Sequence, residues 1–148
     1  MTNLTSTSLI HRAQHSTSPP VQSLRFGLIG AGSIGRHHAR VLSQLVGIQL
    51  VGVCDLDKIR GQEVCQQVGA SHFETSAELL DNCDAVVIAT PTASHYDLAL
   101  QAIQSGKHVL VEKPLADSVE RARHRLAQSR IHAAFNVSVV MLSDSIPW

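Results

Sequence analysis

The sequence predicts an α/β protein built on one doubly wound parallel sheet, and three features predict it. From Leu24 onward, short apolar segments alternate with helical segments of about 12 residues, as in successive strand–helix–strand units. Ala85–Ala89 reads Ala-Val-Val-Ile-Ala, apolar at every position, as a strand covered on both faces does. The first apolar segment ends in glycines that lead straight into a helical pattern.

Taken in order, Phe26–Ile29 is the first strand, and Ile34–Leu45 is a helix with Ile34, Val41, Leu42 and Leu45 as its apolar face. Ile48–Cys54 is a second strand, followed by a helix over Asp57–Val68 with Ile59, Val64 and Val68 inward. Ser71–Phe73 fits a short third strand. Thr75-Ser76-Ala77-Glu78 has capping-box spacing and opens the next helix. After the central strand Ala85–Ala89, a helix over Ala93–Ser105 is closed by Gly106, which suits the left-handed position past a helix end. His108–Val111 is a further strand and Ser118–Ser129 a further helix.

Composition narrows the function. The 148 residues carry 12 Lys+Arg against 12 Asp+Glu, so the formal net charge is zero and no basic face for phosphate neutralisation is expected. Hydrophobic residues at 44% and charged residues at 16% make a globular composition, long enough for one domain. Three cysteines, Cys54, Cys65 and Cys83, without CxxC spacing, predict neither a disulfide framework nor a zinc site and fit a reducing, cytoplasmic setting. No apolar run approaches the roughly 18 residues of a membrane span. Residues 1–23, with nine Ser or Thr, Pro19-Pro20 and the single charge Arg12, are expected to be a disordered leader; their acid-free composition also fits a transit peptide.

Gly30-Ala31-Gly32-Ser33-Ile34-Gly35 is GxGxxG at a strand-to-helix junction, the fingerprint of a Rossmann dinucleotide-binding domain. Gly30 permits the turn, Gly32 lets backbone approach a pyrophosphate, and Gly35 lets the helix lie close to the sheet. The N–H groups of Ser33, Ile34 and Gly35 face the phosphates at the helix start. A glycine turn without a ligand is the bland alternative. Asp55 ends the second strand 20 residues after Gly35, where a carboxylate accepts from the adenosine ribose hydroxyls. That carboxylate repels a 2′-phosphate, which favours NAD over NADP, while Arg60 softens the preference; Asp55 also stands where a helix cap would. Thr90-Pro91-Thr92-Ala93-Ser94-His95 and Glu112-Lys113-Pro114 follow the two later strands and so share the carboxyl edge of the sheet with the glycine turn. Lys113 there is either a hydrogen-bond donor and proton relay to a substrate hydroxyl or a solvated loop lysine, and His95 either a ligand contact or a helix-cap residue. The other histidines, His37-His38 included, show no metal-ligand spacing.

The strings GLIGAGSIGRHHARVL, VGVCDLD and ATPTASHYDLALQAIQSGKHVLVEKPLA, in that order over about Leu24–Glu120, resemble the Gfo/Idh/MocA oxidoreductases. The resemblance implies an NAD(P)-dependent dehydrogenase acting on sugars, inositols or related polyols. It implies that Gly30, Gly32, Ser33, Ile34 and Gly35 cradle the pyrophosphate and that Asp55 binds the adenosine ribose. It places Thr90, Pro91 and His95 on the nicotinamide side, Glu112 by the nicotinamide ribose, and Lys113 as the active-site lysine, with Pro114 following a cis peptide bond. Family members continue into a second α/β domain that supplies the substrate pocket, homo-oligomer contacts and further acid–base groups. Residues 24–136 are therefore expected to be the dinucleotide-binding domain. Residues 137–148 are expected to be a divergent apolar tail, from a truncated or frameshifted coding sequence, in a chain that binds NAD with little turnover alone. Two other classes stay open: a non-catalytic dinucleotide-binding or interaction module, working with a partner domain in trans, and an S-adenosylmethionine-dependent methyltransferase.

Overall fold

The computed structural model of the chain describes residues 23–113 and 139–141. Its order is β1 (Leu24–Ile29), α1 (Ser33–Gln44), β2 (Ile48–Cys54), α2 (Lys58–Val68), β3 (Ser71–Phe73), α3 (Ser76–Asp81), β4 (Ala85–Ile88), α4 (Thr92–Gln104), β5 (His108–Val111) and β6 (Val139–Met141). The strands form one sheet in the order β3-β2-β1-β4-β5-β6, and every pairing is parallel. Chain order runs outward in both directions from the β1/β4 pair, which makes that pair the switch point where ligands of open α/β sheets bind.

Two apolar layers hold the sheet. On one face Leu28, Val53 and Val87 meet Ala39 and Leu42 of α1 and Val64 and Cys65 of α2. On the other, Ile29, Val86, Ile88, Val109 and Val111 meet Leu79 and Leu80 of α3 and Ala99 and Ala102 of α4. Successive residues of β4 alternate between these layers, so all four are buried and the strand has no polar position. Each of its Val and Ile side chains contributes about 1.5–3 kcal/mol through that burial.

Local signals behave as the sequence predicts. The Thr75 hydroxyl accepts from the Glu78 N–H while the Glu78 carboxylate accepts from the Thr75 N–H, a complete capping box on α3. Gly106 has φ +71°, the left-handed conformation expected after α4. β2, β3 and β5 keep the predicted bounds; β1 begins two residues earlier, at Leu24.

The inward faces of the first two helices match expectation in part: Leu42 and Val64 are buried and Val68 packs against the core, but other expected positions are exposed. α1 buries Gly35, Ala39 and Leu42, whereas Ile34, Val41 and Leu45 are more than a third exposed. A Cβ on Gly35 would stand 1.9 Å from the Gly30 carbonyl oxygen, so the helix packs against its own glycine turn at a distance that only small residues permit. Ile34 and Val41 are thereby left on the flanks, while Leu42, farther from the turn, is buried. α2 likewise buries Gly61, Val64 and Cys65, and Ile59 is 71% exposed. Val139–Met141, within the segment expected to be a tail, pairs with Val109–Val111 as β6. All but the last residue of the leader expected over 1–23, Pro114, the helix expected over Ser118–Ser129 and the remainder of 137–148 lie outside the described residues.

Candidate dinucleotide site

The parallel sheet gathers the sequence-predicted residues at one edge. β1 runs into Gly30, β2 into Asp55, β4 into Thr90 and β5 into Glu112 and Lys113, all at carboxyl ends. Backbone hydrogen bonds tie the turns together: the Gly30 N–H donates to the Cys54 carbonyl at 2.9 Å, and the Glu112 N–H to the Ile88 carbonyl at 3.1 Å.

The glycine turn has the shape of a cradle. Gly30 sits at φ +97°, and a Cβ there would lie 2.6 Å from the Ala89 carbonyl oxygen, so both conformation and packing demand glycine. Gly32 is the opposite case, since a Cβ there would meet nothing within 4 Å. Open space thus stands over the backbone at the point where a pyrophosphate would come close, so the turn fits the group. Gly32 is also the N-cap of α1 and supplies no side-chain cap, and the helix ladder starts only with the Arg36 N–H donating to its carbonyl. The N–H groups of Ser33, Ile34 and Gly35 precede that first bond, at the positive end of the helix dipole.

Asp55 is fixed from four directions. Its Oδ2 accepts from the Ala31 N–H at 2.5 Å and from Arg60 Nε at 3.3 Å; Oδ1 accepts from the Asp57 N–H and from Arg60 Nη2, both at 2.7 Å. Its side chain is only 4% exposed. Burial works to raise this carboxyl, but the hydrogen bonds from Arg60, Ala31 and Asp57 and the Arg60 charge outweigh it, and the group is held below the usual carboxylate range. The cap of α2 is instead Asp57, whose carboxylate accepts from the Arg60 N–H at 3.1 Å. Asp55 is therefore free of capping duty and braces the glycine turn.

On the other half of the sheet, His95 is 2% exposed and its Nε2 lies 2.6 Å from the Thr90 carbonyl oxygen. The buried imidazole is thereby tied to the backbone of the Thr90–Pro91 turn. Ser94 Oγ braces the same turn, donating to the Pro91 carbonyl at 2.8 Å with Thr90 Oγ1 also at 2.8 Å. Pro91 is exposed and opens α4. Lys113 is exposed, and the side chain of Glu112 beside it is mostly buried.

Sequence reasoning missed His38. Its Nε2 stands 2.5 Å from Glu112 Oε1, with the side chains 12% and 18% exposed. The available signal was helical: residues 35, 38 and 42 fall on one face of α1, and the glycine and leucine of that set are buried. Searching the histidines for metal spacing passed over it.

Comparison with known proteins decides the family. The model of the Gfo/Idh/MocA oxidoreductase family, NAD-binding Rossmann fold, matches residues 24–137. The chain belongs to this family. Gfo/Idh/MocA relatives include a glucose-6-phosphate 3-dehydrogenase of Bacillus subtilis, 41% identical over 98 residues, covering 66% of this chain and 28% of that protein. An inositol 2-dehydrogenase of Rubrobacter xylanophilus is 41% identical over 105 residues, 69% of this chain and 30% of its own length. Among solved structures, the UDP-N-acetylglucosamine 3-dehydrogenase GnnA of Acidithiobacillus ferrooxidans superposes with TM-score 0.71 at 33% identity, over 80% of this chain and 38% of that one. GenD2 from gentamicin A biosynthesis, solved in complex with NAD, gives TM-score 0.72 at 33% identity over 90% and 37%. The chain thus spans about three tenths of the length of the curated relatives it matches, and the part it matches is the NAD-binding Rossmann domain of an oxidoreductase. No helix among the described residues is long and apolar enough to cross a membrane.

Proposed function

We propose that this chain holds NAD for a dehydrogenase that oxidises a CH–OH group of a sugar or polyol. The observation that carries the reading is the open space over Gly32, flanked at one sheet edge by Asp55 on one side and Thr90, Glu112 and Lys113 on the other. The N–H groups of Ser33, Ile34 and Gly35 hold the pyrophosphate, and Asp55 accepts from the adenosine ribose and repels a 2′-phosphate. The Thr90–Pro91 turn, tied to His95 through the Thr90 carbonyl, lines the nicotinamide side, and Glu112 holds the ribose there. When bound, NAD supplies the hydride acceptor. Lys113, exposed at that edge, donates a hydrogen bond to the substrate hydroxyl oxygen and passes its proton on. The sugar or polyol class is carried over from the relatives named above. Binding, and not turnover, is the activity proposed for these 148 residues alone.

A thermal-shift titration with NAD, NADH, NADP and S-adenosylmethionine tests this. At 100 times its dissociation constant, NAD should stabilise the fold by about 2.7 kcal/mol, with a smaller effect from NADP. A shift with S-adenosylmethionine alone, or with none of the four, sinks the reading.

A further inference from the structure

We infer that His38 is a positioning residue for the nicotinamide half of the cofactor, acting by holding the Glu112 carboxylate in place. The inference rests on the proposed reading of the Thr90–Lys113 edge as the nicotinamide side.

The pair spans 74 residues of sequence and joins two elements with separate tasks. On the proposed reading α1 carries the phosphate cradle in its first turn, and Glu112 directly follows β5, one residue before Lys113. An ionised carboxylate only accepts, so His38 Nε2 carries the hydrogen and donates it to Oε1. Both side chains are more than four-fifths buried, which strengthens the bond and discourages alternative rotamers. A carboxylate has a second oxygen with its own acceptor capacity, and fixing Oε1 fixes where that oxygen points. A flexible Glu112 would have to lose its rotamer freedom when the ribose hydroxyls arrive; one already clamped has lost it on folding. The clamp also ties the depth of Glu112 to the helix that sets the pyrophosphate, so the two cofactor contacts keep a constant separation.

A plain structural clamp between α1 and β5 predicts something different, and ligand choice separates the two. ADP shares the adenosine and pyrophosphate with NAD but lacks the second ribose; ADP-ribose has that ribose and lacks the nicotinamide. Isothermal titration of all three ligands would be run on the full chain and on His38→Leu, His38→Gln, His38→Asn, Glu112→Gln and His38→Leu/Glu112→Gln. His38→Leu should weaken NAD and ADP-ribose about tenfold, the scale of one charge-assisted hydrogen bond, and leave ADP within about twofold. Gln can place its amide nitrogen near the position of Nε2, so His38→Gln should recover most of the loss. Glu112→Gln should show an NAD-selective loss at least as large, because it alters the ribose acceptor itself, and the double variant should lose no more than Glu112→Gln alone. His38→Asn, polar like histidine but too short to reach Glu112, carries the test if His38→Leu does not fold, and should show the same NAD-selective loss. Equal losses for NAD and ADP, or no loss in any variant, would overturn the role of His38 while leaving cofactor binding intact. A wild-type chain that binds neither NAD nor ADP would overturn the reading beneath it as well.

Discussion

Asp55 has four donors pointed at it, more than it could keep if it binds a ribose as proposed. A carboxylate offers about four acceptor sites, and Ala31, Asp57 and both nitrogens of Arg60 already use them. The two backbone N–H groups build the turn; on the proposed reading Arg60, whose side chain is 42% exposed, is the donor that would give way to ribose hydroxyls. Two substitutions should therefore move cofactor preference in opposite directions. Asp55→Asn removes the charge that repels a 2′-phosphate and should narrow the NAD-over-NADP preference about tenfold. Arg60→Met leaves that charge and removes the cation able to meet a 2′-phosphate, so NAD should bind at least as tightly and NADP more weakly. Dissociation constants for both nucleotides check the pair. The sequence shows Asp55 plainly, because its position after a glycine fingerprint is set by the length of one helix and one strand. It does not show that Arg60 occupies the same oxygens, since that depends on a rotamer.

At the level of elements, what could be read depended on whether the signal was local. The α3 capping box, the Gly106 helix stop and the wholly apolar β4 are contained in a few consecutive residues, and each stands where the sequence puts it. The face of α1 was misread because apolar size is a poor guide where a helix must come close. Gly35 and Ala39 face inward for want of bulk, and Ile34 and Val41 flank them. The clamp from His38 to Glu112 joins α1 to β5 and has no sequence-local trace. Close approach makes α1 intolerant of growth: a Cβ at residue 35 meets backbone at 1.9 Å, which no rotamer change relieves. Gly35→Ala should destabilise the fold by more than about 2 kcal/mol in urea denaturation, although alanine is the better helix former. Thr75→Ala, which removes half of a capping box on an exposed turn, should cost about 1 kcal/mol. The order of these two effects is the informative result, because helix propensity alone gives Gly35→Ala the opposite sign.

Across the whole molecule, carboxylates with depressed pKa tie the β1 side of the sheet together and make its stability depend on pH. The Arg25 hydrogen bond and a donated backbone N–H hold Asp84 low where β1 and β4 begin, and Arg60 and two backbone N–H groups hold Asp55 low where β2 ends. A group whose folded pKa lies below its unfolded value adds stability above the unfolded value, about 3.9 for Asp, and loses it as pH falls through the folded value. Stability should therefore be level with respect to these groups from about pH 7 to pH 5, then fall below about pH 4. Because the Asp55 side chain is buried, its share of that fall should exceed that of the exposed Arg25–Asp84 pair, which solvent screens. Arg60→Met separates the two shares. Without the guanidinium, burial is opposed only by the two N–H groups, the folded pKa of Asp55 rises toward the unfolded one, and the acid dependence shrinks. Urea denaturation from pH 7 to pH 3 on wild type and Arg60→Met should thus give curves that converge at low pH. Superposed curves would mean that Asp55 owes its low pKa to the turn alone, and that Arg60 can leave for a ribose at no cost to the fold.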